Sequence, residues 1–278
     1  MLSRLLKREL LPQLKTLVIR HRNPPDDGRF TGPALGLAFR GCPRLEELDL
    51  AHFKSENYSN REDEFRDSAL LTTSMLDALT AGCCPHLRRL NAKQMVATDP
   101  EARLACARFL RSGACPQLKE LNLYSAFRVG PLDVGWKTGD DPLLLALAGR
   151  QGVLGNGTLK QLEVLRVGGS SCPLSKETAV SLVESLALGQ CPCLTGLELG
   201  SDFESDLGAY GAVAAALQTG AFRNLKYLSL QTVNEHPTSV FVLLSKNSLS
   251  AACPNLKLLN LISFRNKYNV PTVFVDNL

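Results

Sequence analysis

The sequence predicts an α/β solenoid: a horseshoe of about eight stacked units, with parallel strands on its concave face and helices on its convex face. Three observations predict it. A nine-residue phrase built on L-x-x-L-x-L recurs eight times, its first leucines falling at Leu14, Leu45, Leu87, Leu118, Leu162, Leu194, Leu225 and Leu256. The gaps between them are 31, 42, 31, 44, 32, 31 and 31 residues, so one unit of about 31 residues, expanded twice, accounts for nearly the whole chain. A stripe of apolar residues at helical spacing then separates one phrase from the next in most units.

Within each phrase, apolar and variable residues alternate. That period of two is the signature of a strand with one buried face. Five copies open on Cys-Pro: CPRLEELDL from Cys42, CPHLRRLNA from Cys84, CPQLKELNL from Cys115, CPCLTGLEL from Cys191 and CPNLKLLNL from Cys253. Three lack the cysteine: LPQLKTLVI from Leu11, LKQLEVLRV from Leu159 and FRNLKYLSL from Phe222. Helical spacing is read in Leu70, Leu71, Met75, Leu76 and Leu79, in Leu104, Ala105, Phe109 and Leu110, and in Val180, Leu182, Val183, Leu186 and Leu188. It recurs in Val213, Ala216 and Leu217, and in Val240, Val242, Leu243 and Leu244. Gly or a small residue followed by Cys-Pro closes such a helix, because Pro cannot continue it and its ring presets the turn into the next strand.

The reading makes residues 1–264 a single solenoid domain, with expanded units at 45–86 and 118–161, and 265–278 a C-terminal tail or cap. The opening Met1 to Arg8 is basic and leucine-rich and reads as a capping helix turn or the cut edge of a longer parent, with an organelle transit peptide as the alternative. The tail carries Val270, Val273, Phe274 and Val275 without the leucine pattern, as expected of an irregular cap or an extension that docks elsewhere.

Charge bounds the partners. The 31 basic and 27 acidic residues leave a net charge of +4, interspersed along the chain, which argues against nucleic acid as the partner. No apolar run reaches the roughly 18 residues of a membrane span. Nine cysteines is an odd count, and five of them share one position in the repeated phrase. That recurrence predicts small buried apolar residues, hence reduced thiols and an intracellular, cytoplasmic protein, with organelle targeting as the alternative. Two Asn-x-Ser/Thr triplets, at Asn57 and Asn156, read as chance in the absence of a signal peptide.

The C-P-x-L-x-x-L-x-L wording resembles the cysteine-containing repeats of F-box-type ubiquitin-ligase substrate receptors, within the leucine-rich-repeat proteins. The unit length is similar to that of the ribonuclease-inhibitor-like subclass and of the Ran GTPase-activating protein. The resemblance covers roughly Leu11 to Leu261, without a visible F-box. Such repeats carry Asn or Cys three residues after the last strand leucine. Here those positions hold Phe53, Met95, Ala126, Ser170, Asp202, Val233 and Phe264, so an aromatic or aliphatic stack is expected instead of a polar ladder.

Catalytic signals are weak. The Gly-rich run from Gly152 to Thr158 lacks the Gly-Lys-Ser/Thr end that cradles phosphate. Cys83-Cys84 and Cys191-Pro192-Cys193 have no second half with metal-ligand spacing. His21 and His236 read as loop residues and His52 and His86 flank strands, none at a nucleophile or carboxylate spacing. The chain is therefore expected to be no enzyme and to need neither cofactor nor metal.

Recognition falls to the strand residues that alternate outward. The candidates are Glu47, Asp49, Arg89, Lys93, Tyr124, Arg166, Tyr227, Leu258 and Ile262, with Trp136 in the second inserted segment. The first half of this face is charged, whereas the second is expected to hold small residues, Tyr227 and exposed Leu258 and Ile262. Both inserted segments, 54–67 and 128–156, begin after a strand and so on one edge, where repeat insertions often bind partners. The function expected is a non-catalytic scaffold for protein partners. The resemblance implies a ubiquitin-ligase substrate receptor, a structural subunit of a large complex fits the same layout, and a regulator of an enzyme, a GTPase activator or hydrolase inhibitor, is the competing class.

Overall fold

The computed structural model describes residues 12–21, 42–53, 73–93, 100–124, 159–168, 176–201, 213–232 and 252–263. Eight strands form one sheet: β1 (Thr16–His21), β2 (Glu47–Phe53), β3 (Arg89–Asn91), β4 (Glu120–Tyr124), β5 (Val164–Gly168), β6 (Gly196–Ser201), β7 (Tyr227–Thr232) and β8 (Leu258–Ser263). They lie in chain order and every neighbouring pair is parallel. Parallel neighbours in chain order require a crossover at each step.

The turn before each strand repeats in atomic detail. The carbonyls of Cys42, Cys84, Cys115, Leu159, Cys191, Phe222 and Cys253 each accept the N–H of the leucine three residues on, at 2.9–3.1 Å. Where Pro follows the cysteine, its fixed φ suits the second position of such a turn. One residue past that leucine comes the register lock. Lys15 O accepts the N–H groups of both Glu46 and Glu47, at 2.7 and 2.9 Å, and Lys226 O those of Lys257 and Leu258, at 2.9 and 3.1 Å. The same paired acceptor recurs at every junction between.

The inward face of the sheet is a stack of leucines. Leu17, Leu48, Leu90, Leu121, Leu165, Leu197, Leu228 and Leu259 are register partners and all are buried. Each such side chain contributes about 1.5–3 kcal/mol by leaving water. The cysteines at the turns join this core. Cys84 Sγ donates to Cys42 O at 3.8 Å and Cys115 Sγ to Cys84 O at 3.5 Å, so the thiols link neighbouring turns.

Helices cover the inward face. Residues 73–80 are helical and bury Met75, Leu76 and Leu79. Gly82 closes this helix at φ +78°, where Cys83 N–H donates to Ala78 O and Gly82 N–H to Leu79 O. That pair of bonds is the Schellman closure, which needs a residue tolerant of positive φ. Helix α1 (Pro100–Ser112) has Glu101 in its first turn and Arg111 in its last, signs that suit the helix dipole. It buries Ala105, Cys106, Phe109 and Leu110. Arg108 of α1 pairs with Asp77 of the preceding helix at 3.0 Å. Helix α2 (Lys176–Ser185) widens into a π-helical turn at Leu186–Gln190, and a further helical turn spans 213–217.

Two expectations about elements are corrected. Leu188, placed in the inward stripe, is 79% exposed. It follows buried Leu186 by two positions, about half a turn around the helix, so the two point opposite ways. His21, expected in a loop, is the last residue of β1 and pairs with Phe53, across a register shift between Val18 and Arg20. The 70–71 and 240–244 stripes, both inserted segments, the tail 265–278 and most of the expected aromatic stack lie outside the described residues.

Candidate interaction surface

Because side chains alternate along a strand, the residues between the buried leucines share the opposite, outward face. The register assembles them into rows. The first row runs Thr16, Glu47, Arg89, Glu120, Val164, Gly196, Tyr227, Leu258, and the second Val18, Asp49, Asn91, Asn122, Arg166, Glu198, Ser229, Asn260.

In the first row Arg89 is flanked by carboxylates on both neighbouring strands, Glu47 at 3.3 Å and Glu120 at 2.9 Å. In the second row, the Asn91 and Asn122 side chains fold back onto their own strands: their Oδ1 atoms accept the N–H of Lys93 and of Tyr124, at 3.3 and 3.0 Å. Beside these bonds, Lys93 Nζ lies over the Tyr124 ring, 5.0 Å from its centre, within range of a cation–π attraction. Arg166 Nε meets Glu198 Oε2 at 3.4 Å in the second row. Asp49 is half-buried there beside Asn91.

The second half of this face departs from expectation. Ser229, outward by alternation, is 0% exposed, and Gly168, Gly196 and Gly200 are buried as well. A side chain added at Gly196 would touch both Val164 and Tyr227, at 3.4 and 3.8 Å, so larger neighbours close over the small residue between them. Leu258, expected to be exposed, is half-buried. It stands next to Tyr227 in the first row, at the strand spacing of about 4.8 Å. Ser229 Oγ and Asn260 Oδ1 have no hydrogen-bond partner among the described residues. Ile262 pairs with Gln231 in β8, and Trp136 lies outside the described residues.

A column that the outward reading missed runs beside these rows. The residues directly after the first leucines, Lys15, Glu46, Arg88, Lys119, Glu163, Thr195, Lys226 and Lys257, carry the register lock on their backbones, and side chains of the first five meet as ion pairs. Glu46 meets Lys15 at 2.9 Å and Arg88 at 3.6 Å, and Lys119 meets Glu163 at 2.6 Å. The hydrogen bond from Lys15, with the charges of Lys15, Arg88 and His86, holds the Glu46 carboxyl below the ordinary range against some desolvation. The change of sign at a fixed position of the repeated phrase was the available signal for these contacts.

Eight cysteines among the described residues are free thiols. Burial pushes Cys115 and Cys191 up to about 12 and Cys253 up to about 11, and raises Cys42 and Cys84 as well. Groups with pKa values raised this way carry no thiolate near neutrality, so these five suit packing rather than nucleophilic chemistry. Among the described residues no group of three His, Cys, Asp or Glu is placed to hold a metal ion, and no helix is long and apolar enough to cross a membrane. No protein-family model matches the chain, and no curated protein matches it.

Proposed function

We propose that this chain is a leucine-rich-repeat solenoid of about eight units that serves as a non-catalytic protein-interaction scaffold, binding through the outward strand face. One observation carries the reading. Eight strands repeat the same buried leucine, while the outward rows vary along the sheet, running from the Glu47–Arg89–Glu120 trio through the Lys93–Tyr124 pair to Tyr227 and Leu258. A uniform spine bearing varied half-exposed polar and aromatic side chains suits selective protein contact, in which aromatic and Arg anchors dominate. Its more accessible half is the first, since glycines and Ser229 in the second are buried.

The test is affinity capture with the immobilised chain followed by mass spectrometry. Lys93→Glu combined with Tyr124→Ala should lower recovery of a specific partner by about tenfold or more while the far-UV circular dichroism stays native. Unchanged recovery with a native spectrum would overturn the outward face as the site. Capture of a cullin adaptor supports a ubiquitin-ligase receptor, and co-purification at fixed stoichiometry a structural subunit.

A further inference from the structure

The column that begins with Lys15 runs out of carboxylates toward its end. Over its first five members every cation meets a carboxylate: Lys15 and Arg88 flank Glu46, and Lys119 meets Glu163. Thr195 then turns inward, its hydroxyl donating to Glu163 O at 3.1 Å. Lys226 and Lys257 follow on neighbouring strands, both exposed, with Lys257 N–H bound to Lys226 O at 2.9 Å. No carboxylate among the described residues pairs with either. The turn ahead of Lys226 is held from within, Arg223 Nε donating to Gly220 O at 3.2 Å, and Asn255 Nδ2 ties the next turn to it by donating to Arg223 O at 2.8 Å.

Like charges side by side on adjacent strands repel, and elsewhere in the column a carboxylate removes that repulsion. We propose that Lys226 and Lys257 dock an acidic polypeptide segment, whose carboxylates take the place that Glu46 and Glu163 hold in the first half. A nucleic acid is the poorer fit. The net charge of +4 gives little general attraction for a polyanion. The proposal deepens the scaffold reading by adding the chemistry of a partner, yet it rests on a different surface. Lys93→Glu with Tyr124→Ala should leave this binding intact, so either reading can fail alone.

Fluorescence anisotropy of a labelled oligoglutamate peptide against the full chain, at about 50 mM salt where screening is weak, tests it. Lys226→Glu and Lys257→Glu should each weaken binding by about tenfold or more, whereas Lys160→Glu, the same charge change at another exposed turn, should change it less than about twofold. Lys257→Glu also sets a carboxylate beside Lys226, which favours folding, and Lys226→Gln gives a milder second variant. No binding by the native chain, an equal loss with Lys160→Glu, or tighter binding of a single-stranded oligonucleotide through the same lysines would each overturn the proposal.

Discussion

Arg89 bridges two strands at once: its Nη1 lies 3.3 Å from Glu47 Oε1 on β2, and its Nε lies 2.9 Å from Glu120 Oε1 on β4. All three side chains are partly exposed, so each contact is worth only the few tenths to about 1 kcal/mol of a solvated pair. Arg89→Ala should therefore lower unfolding free energy by about 0.5–1.5 kcal/mol in urea at low salt. The loss should shrink at about 1 M salt, where screening acts over about 3 Å. A loss independent of salt would mean that the arginine stem, not its charge, stabilises the row.

Alkaline pH should weaken the fold through its thiols. Burial raises the native pKa of Cys253 to about 11 and of Cys115 and Cys191 to about 12, against an ordinary value of 9.0. Where the native pKa is the higher one, the unfolded chain loses protons first and stability falls as pH rises. The contribution is complete below pH 9.0 and is lost as pH climbs toward 11 and 12. Denaturant melts across that window should show the decline. Brief alkylation at pH 8 followed by mass spectrometry should label exposed Cys193 well before Cys84, Cys115, Cys191 or Cys253.

Two glycines on the outward face should answer differently to the same substitution. Gly168 has φ +79°, and a Cβ there would run into the backbone of Gly200, so Gly168→Ala should cost about 2 kcal/mol or more. At Gly196 the added methyl meets Val164 and Tyr227 at ordinary contact distance, and Gly196→Ala should change stability by less than about 1 kcal/mol. Comparable losses at both sites in thermal melts would contradict this account of the face.

Ser229 is fully buried, and its hydroxyl has no partner among the described residues. A buried hydroxyl without a hydrogen bond costs about 1–3 kcal/mol. Ser229→Ala removes one atom and the unmet donor together, so it should be neutral or raise stability by up to about 1 kcal/mol in thermal or urea melts. A clear loss of stability would show that the hydroxyl is satisfied in solution.

Strands and their register were legible because one cause makes both. The leucines that alternate in the phrase are the ones the sheet buries, so matching Leu48 to Leu90 by sequence also aligns Glu47 with Arg89. The charged first half of the outward face could be read for the same reason. What escaped depends on bulk and backbone rather than on spacing. Nothing in the spacing tells that Val164 and Tyr227 close over Gly196, or that Gly168 needs a positive φ. Lys93 and Tyr124 were both candidates, but their contact runs between neighbouring strands from positions where Asn91 and Asn122 side chains bind the backbone, which alternation alone does not disclose.

The carbonyl that receives two N–H groups ahead of each strand separates alignment from length. Phrases 42 residues apart, at β2 and β3, and 44 apart, at β4 and β5, meet through the same pair of bonds as those 31 apart. Alignment is settled before the strand begins, and the extra chain enters only after it has ended. Segments between strands are thus free to grow, shrink or be exchanged without slipping the sheet, because a longer loop adds only about 0.6 kcal/mol per doubling. Grafts of new sequence between strands can therefore be made while every leucine keeps its partner.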